Sequence, residues 1–167
     1  MVADKDKIWR AVLEIGTCML VTRDGAMLRA RPMQALAEPD ENAVWFLSDR
    51  EAHTDVEIAE QSQVCLSFAD VNEDLYVSLS GPMAVIDDAE RVASLLADDD
   101  TADDDDRLEA KDLVALKFMP ELGEIWDGWS LAEEDDDDQE TEDDSAANGG
   151  ESTSVKVAFG KGKRTSE

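Results

Sequence analysis

Six short apolar runs, each about as long as a β-strand, limit the fold of this chain more than any other feature of its sequence. Turn residues or short helical stretches separate the runs, and none approaches the roughly 20 residues that a membrane-spanning helix requires. The runs are residues 17–22, 27–36, 43–48, 64–69, 75–86 and 113–119, and a seventh, less regular run covers 124–129. Many short strands with few helices are typical of a barrel or a sandwich, so we expect a mainly β fold with six or seven strands.

Local signals place the turns and helices between these runs. Asp24 and Gly25 form a pair typical of a tight hairpin turn, which predicts that the first two strands pair antiparallel. Helical periodicity predicts three flanking helices, over residues 4–15, 49–61 and 89–97.

The second predicted helix follows the third strand directly. Ser48 and Glu51 have the spacing of a capping box, and three apolar side chains recur at helical spacing and are expected to face inward. Those three are Ala52, Val56 and Ala59. Because a helix begins with free backbone amides, the Ser48 hydroxyl and the first helical turns, which include His53, make a natural phosphate site. The alternative is that Ser48 only caps the helix and His53 lies on the surface.

The formal net charge of −27 excludes several classes of partner. A chain this acidic repels phosphate polymers and anionic lipids, so we expect neither a nucleic acid nor a membrane as partner. Two acidic runs, at 98–106 and 133–144, are too charged to bury, and neither has the spacing of an EF-hand calcium loop. Acidic residues are also scattered elsewhere while lysine is scarce. That pattern is typical of a protein that works in concentrated salt, where the electrostatic screening length falls to about 3 Å and repulsion between acidic groups weakens. We therefore hypothesise a halophilic source.

The composition predicts three parts of the chain. Residues 1–130 would form one folded domain with an acidic insertion at 98–106, and residues 131–154 an acidic, disordered linker. Residues 155–167 contain an apolar stretch that can dock on the folded domain. The amino-terminal residues lack the apolar core of a secretory signal, so we expect a cytoplasmic protein.

Cysteine and histidine, which commonly carry nucleophilic catalysis or bind zinc, are few. Cys18 and Cys65 each lie inside an apolar strand-like run without the spacing of a zinc site, and we interpret both as buried hydrophobic residues. His53 is the only histidine, so a catalytic triad or a multi-histidine metal site would depend on that residue. We predict no metal site and no specific catalytic residue.

Two arginines in the second strand are the clearest candidates for binding. Alternation along a strand puts Arg29 and Arg31 on one face, together with Met27 and Met33. One explanation is an outward, solvated face, and the other is capture of an anion. The pattern leaves both explanations open. If Arg31 reaches the start of the second helix, it joins Ser48 at a single phosphate site.

The order of the segments resembles a known family. A helix is followed by TCMLVT, a DG turn, RARPMQA, AVWFLS with a helix after it, QVCLSFAD, LYVSLSGPMAVIDD and ALKFMPELGEIWD. This order, over roughly residues 8–129 apart from the first acidic run, resembles the general stress protein branch of the pyridoxamine 5'-phosphate oxidase-related flavoproteins. VKVAFGK near the end is similar to that branch's closing segment. The resemblance implies an antiparallel split β-barrel of the FMN-binding type.

The same resemblance implies a flavin site and a homodimer with the cofactor at the subunit interface. The implied cofactor contacts are Arg31, Pro32, Met33, Leu47, Ser48, His53 and Thr54, with Tyr76 and Trp126 from the partner subunit. Thr54 stands where relatives often have a basic residue against the phosphate, which predicts weak or partial FMN occupancy. The implied function is FMN binding by a general stress protein, and whether it is also an oxidoreductase, acting on an unknown substrate, is left open. The alternatives are a deazaflavin-dependent reductase on the same fold and a non-catalytic dimer without cofactor.

Overall fold

The computed structural model describes residues 2–52, 54–60, 62–98, 109–128 and 154–160. Within these ranges three α-helices and nine β-strands alternate with short 3-10 turns. The helices are α1 (Val2–Ile15), α2 (Thr54–Glu60) and α3 (Ala89–Asp98). The strands are β1 (Thr17–Asp24), β2 (Met27–Gln34), β3 (Leu36–Glu38), β4 (Ala43–Asp49), β5 (Gln63–Asp70), β6 (Leu75–Ile86), β7 (Leu113–Phe118), β8 (Leu122–Asp127) and β9 (Ser154–Ala158).

All of the strand pairs are antiparallel, and the strands form one curled sheet in the order β2-β1-β5-β6-β7-β4-β3, with β8 paired to β6 and β9 to β8. The long strand β6 belongs to both halves of this sheet. Its residues 75–80 pair with β8, and its residues 83–86 pair with β7. The expected mainly β split-barrel fold is confirmed. The described strands exceed the expected six or seven because short β3 and the late β9 also join the sheet.

The predicted hairpin and the three predicted helices are present, but the second helix differs in its start. A 3-10 turn over Arg50–Ala52 precedes α2, and Ser48 lies within β4. The Glu51 amide donates to the Asp49 carboxylate at 2.9 Å, while the Ser48 hydroxyl donates to the Asp49 carbonyl at 3.5 Å. The capping-box prediction is therefore wrong, because Asp49 supplies the acceptor.

The later start of α2 also changes which side chains it buries. The buried residues of the helix are Thr54, Glu57 and Ile58, whereas the predicted inward residues, Ala52, Val56 and Ala59, are exposed. A buried glutamate on a short helix requires partners, because an isolated carboxylate is costly to remove from water. Those partners lie on β1 and β2.

Two apolar clusters lie on opposite sides of the sheet. The larger fills the barrel between α1, α2 and the inward faces of most strands, and it includes Leu20, Phe46 and Leu79. The smaller lies under α3 and includes Trp45 and Leu95. The face of β2, β1, β5, the first half of β6, and β8 that points away from the larger cluster is called here the outer face.

The last described segment, residues 154–160, adds β9 to the edge of β8. Beyond the strand, Phe159 meets the ring of Trp9 edge-on, with 5.8 Å between the ring centroids. Residues 99–108 and 129–153, which contain most of the two acidic runs, lie outside the described residues, so the predicted insertion and linker stay predictions. No described helix is long and apolar enough to cross a bilayer.

Candidate functional site

The register of the first hairpin decides which way the two candidate arginines point. Leu20 is opposite Arg31 and Thr22 is opposite Arg29, and Cys18, Leu20 and Thr22 are the buried residues of β1. Cross-strand partners lie on the same face of a sheet, so both arginines project toward the core side, where α2 packs. The Arg31 side chain is 16% exposed, which argues against the alternative of a fully solvated face for this residue.

Arg31 and α2 meet in a compact polar network, the arginine cluster, formed by Thr22, Arg29, Arg31, Thr54 and Glu57. Arg31 donates from Nη1 to the Thr54 hydroxyl at 2.7 Å and from Nη2 to the Glu57 carboxylate at 2.5 Å. Arg31 Nη2 also donates to the Thr22 hydroxyl, which in turn donates to Glu57 at 2.7 Å. Arg29 binds the other carboxylate oxygen of Glu57. Two strands and one helix are thereby joined through a single carboxylate.

The charges of the cluster keep Glu57 ionised. Burial alone would raise the pKa of Glu57, but hydrogen bonds from Thr22 and Arg31 and the charges of Arg31 and Arg29 outweigh burial, so the pKa lies below its ordinary value. At neutral pH Glu57 is therefore an acceptor of hydrogen bonds and holds no proton to donate. Two guanidinium groups face one buried carboxylate, which leaves one positive charge. Asp24, 3.9 Å from Arg29 and 60% exposed, offsets it only weakly.

The donors in the cluster fit a phosphate ester. Arg31 Nε is buried and has no hydrogen-bond partner, which is unusual for a guanidinium nitrogen. The Thr54 hydroxyl accepts from Arg31, and its own proton is not used in that bond. The Arg29 side chain is 49% exposed and can turn further donors outward. A guanidinium fork with neighbouring hydroxyls is the donor set that binds phosphate oxygens well. Glu57 takes up part of this set.

The other expected cofactor contacts are distributed over both faces of the sheet. Met33 is half-buried against the larger core, on the same face as Arg31. Ser48 is buried on the core side of β4, but its one described hydrogen bond goes to the Asp49 carbonyl rather than to the cluster. Leu47, its neighbour, packs against the smaller core under α3. His53 lies outside the described residues. Of the expected residues on the core side of the sheet, Arg31 and Thr54 are joined by a hydrogen bond.

The remaining three expected residues lie on the outer face. Pro32 is exposed on β2, which is an edge strand and so tolerates proline. Tyr76 and Trp126 are direct cross-strand partners on β6 and β8, both half-buried. Their neighbours along the strands, Val77 and Ile125, point into the core. Because side chains alternate along a strand, Tyr76 and Trp126 lie on the other face of the sheet. Within one chain, the sheet therefore separates Tyr76 and Trp126 from Arg31.

The sequence analysis missed two members of the cluster, Thr22 and Glu57. A signal for Thr22 existed, because it alternates with Cys18 and Leu20 along β1 and so belongs to the buried face. A signal for Glu57 existed as well, since it follows Thr54 by three residues and shares its helix face. The predicted start of α2 at residue 49 assigned the inward face to the apolar residues instead.

Comparison with protein-family models identifies the family of this chain. Residues 3–132 match the model described as "Pyridoxamine 5'-phosphate oxidase like", which spans most of the sequence. The chain belongs to that family. None of the curated proteins compared with this family member matches it.

Solved structures share the fold of this pyridoxamine 5'-phosphate oxidase-like protein. The general stress FMN/FAD binding protein from Xanthomonas citri is 22% identical, with a TM-score of 0.59, and the match covers 89% of this chain and 100% of that one. General Stress Protein 26 from Bacillus anthracis is 16% identical, with a TM-score of 0.60 and coverage of 72% and 92%. A protein related to general stress protein 26 from Clostridium acetobutylicum is 17% identical, with a TM-score of 0.62 and coverage of 75% and 89%. At these identities the likeness establishes the fold alone.

Proposed function

We propose that this protein binds a flavin, FMN, with the phosphate held by Arg31 and the Thr54 hydroxyl. The observation that carries the proposal is the arginine cluster, where a mostly buried guanidinium from β2 contacts the first residue of α2 and retains an unpaired Nε. Family membership supports it, as does the fold shared with a protein described as FMN/FAD binding. The general stress proteins of the same fold suggest the same branch.

A bound flavin would supply the electron chemistry of an oxidoreductase, and the chain would supply binding and orientation. Arg31 and Thr54 would fix the phosphate end, and Met33 would give an apolar wall on the same face. Glu57 stays ionised at neutral pH and therefore cannot serve as a general acid there.

The outer face supports a homodimer with the cofactor at the subunit interface. It carries exposed large apolar side chains, Met19, Leu28 and Leu122, and also the half-buried pair Tyr76 and Trp126. Apolar side chains grouped on one sheet face are typical of a surface that another protein covers. In such a dimer Tyr76 and Trp126 would contact the cofactor bound by the other subunit.

One observation favours a second candidate, a non-catalytic dimer without cofactor. Glu57 already neutralises much of the charge around Arg31, and Thr54 adds a hydroxyl but no positive charge. A deazaflavin cofactor also carries a phosphate group on its ribityl chain, so the cluster would suit it too. Absorbance spectra of the purified protein distinguish a bound flavin, a bound deazaflavin and a colourless protein.

Titration with FMN in high salt tests the proposal. We expect Arg31→Gln to weaken FMN binding by one to two decades, since a charge-assisted hydrogen bond contributes about 1.5–3 kcal/mol. Arg50→Gln is the matched control, because Arg50 loses the same charge but pairs with Asp87 on the surface. Riboflavin, which lacks the phosphate, should bind wild type and Arg31→Gln equally. Equal FMN affinity in all three proteins, or no FMN binding by wild type, contradicts the proposed site.

A further inference from the structure

We infer that Glu57 is an internal competitor for the phosphate, a carboxylate that occupies Arg31 until the ligand displaces it and that thereby sets the affinity for phosphate-bearing ligands. This inference rests on the proposed function, because it concerns the same arginine. It assigns a specificity-determining role to a residue of α2 that the sequence pattern did not single out.

The carboxylate of Glu57 is bound in the way an anionic ligand would be bound. One oxygen accepts from Arg31 and from the Thr22 hydroxyl, and the other accepts from Arg29. The Glu57 side chain is only 8% exposed, so these bonds are largely shielded from water. Donors that would hold phosphate oxygens are thus already used by an oxygen anion of the chain itself.

A phosphate cannot use the best donors of Arg31 while Glu57 stays in place. Nη2 is shared between Glu57 and Thr22 and Nη1 binds Thr54, which leaves Nε as the one nitrogen of Arg31 without a partner. Bidentate binding of a phosphate to the guanidinium fork needs two neighbouring N–H groups at once. Because Nη2 is one of them, the incoming phosphate must replace the Glu57 oxygen there.

Arg29 gives the displaced carboxylate a place to go. Glu57 divides its two oxygens between two arginines, and Arg29 is half-exposed, so the bond to Arg31 can break while the bond to Arg29 remains. The exchange replaces one anion by another on Arg31, and the carboxylate never becomes an isolated buried charge. Net affinity for phosphate is therefore the difference between two charge-assisted interactions.

The test compares Glu57→Gln with Asp24→Asn. Both variants remove one negative charge near Arg29, but Asp24 is exposed and lies 3.9 Å from the nearest arginine nitrogen. We expect Glu57→Gln to bind FMN and inorganic phosphate at least about tenfold more tightly than wild type, the scale of one lost charged competitor. Asp24→Asn should change either affinity by less than about threefold, the scale of a surface ion pair. Riboflavin affinity should not change.

The outcomes separate this inference from the proposed function. Arg31-dependent FMN binding by wild type, with unchanged affinity in Glu57→Gln, overturns the inference and leaves the flavin site standing. Equal gains in both charge variants also overturn it, since a general field effect would then suffice. A gain in FMN and phosphate affinity in Glu57→Gln, without a comparable gain in Asp24→Asn, supports it. If neither protein binds FMN or phosphate, the inference and the proposed function are both wrong.

A measurement on the wild-type chain keeps the test valid if Glu57→Gln does not fold. The carboxyl ¹³C resonance of Glu57 is followed while inorganic phosphate is added, with Arg31→Gln as the reference for a Glu57 that has lost its main partner. Displacement predicts that the resonance moves toward its position in Arg31→Gln. A resonance that stays fixed while phosphate raises the unfolding temperature overturns the inference.

Discussion

Replacing Gly81 by alanine should strongly destabilise the fold, because Gly81 lies where β6 passes from one half of the barrel to the other. It follows the last β6 residue paired with β8 and precedes the first one paired with β7. A Cβ at this position would lie 2.2 Å from the backbone oxygen of Met119 and 3.0 Å from the amide nitrogen of Glu121. Both are backbone atoms, which cannot move aside as a flexible side chain can.

The distances give the size of the effect. Ordinary Cβ contacts begin at 3.4 Å, so the connection between β7 and β8 must move by roughly 1 Å. Two backbone bonds hold that connection, from Met119 to the Pro82 carbonyl at 3.0 Å and from Glu121 to the Ser80 carbonyl at 2.9 Å. Overpacking costs about 1–3 kcal/mol, and each weakened bond about 1 kcal/mol. We expect a loss of about 3 kcal/mol in the free energy of unfolding.

Urea unfolding at constant high salt measures this loss. Gly25→Ala is the comparison, because Gly25 has a φ of 59° with open space around it, and a side chain there costs about 1–2 kcal/mol through backbone strain alone. The Gly81 variant should be the less stable of the two. If Gly81→Ala costs less than Gly25→Ala, the close approach of the β7–β8 connection to β6 is not a constraint on the fold and the reasoning fails.

Three further predictions follow from charge and burial. The lowered pKa of Glu57 means that its ionised form stabilises the fold at neutral pH. This contribution is lost as the pH falls below about 4.3, the ordinary pKa of a glutamate, and through the lower pKa that Glu57 has in the folded protein. Glu57→Gln should therefore be about 3 kcal/mol less stable than wild type at pH 7, and the difference in stability should become smaller in acid. Urea unfolding of both proteins at pH 7 and in acid measures this difference, and a constant difference would contradict the prediction. Burial, with a smaller effect of Cys65, raises the pKa of Cys18 to about 12, whereas Cys65 is only half-buried and not buried as the sequence predicted. A disulfide-exchange reagent at pH 8 should therefore label Cys65 first and Cys18 only on unfolding, and equal labelling rates would count against the buried position of Cys18. Molar salt should raise the unfolding midpoint because it screens the net charge of −27, and a midpoint independent of salt would refute the halophilic hypothesis.

Local sequence patterns were sufficient to predict most of the helices and strands of the fold. The Asp24–Gly25 pair fixed the first hairpin, and alternation of apolar residues located most of the strands within a few positions. β9 could be recognised only as an apolar stretch, because its place depends on pairing with β8 far earlier in the chain. Such non-local pairing is set by the tertiary structure and leaves no local signal.

The candidate site was predicted only in part. Strand alternation put Arg29 and Arg31 on one face, but the choice between core and solvent depended on where α2 packs. The 3-10 turn before α2 shifts the phase of the helix, so Glu57 replaces Val56 on the buried side. A charged residue is rarely assigned to a core from sequence, because its burial is tolerated only with partners that lie elsewhere in the chain.

The ladder between β8 and β9 has a consequence for the acidic segment that connects them. Trp126 and Ser154 are cross-strand neighbours, a few ångströms apart, yet the chain between them has 27 residues where a tight turn would need about two. Those 27 residues include twelve acidic side chains and no lysine or arginine. Because the entropy of closing a loop grows only with the logarithm of its length, halving or doubling this connection would change stability by about 0.6 kcal/mol. The length of this connection can thus change with little effect on the pairing of β8 and β9.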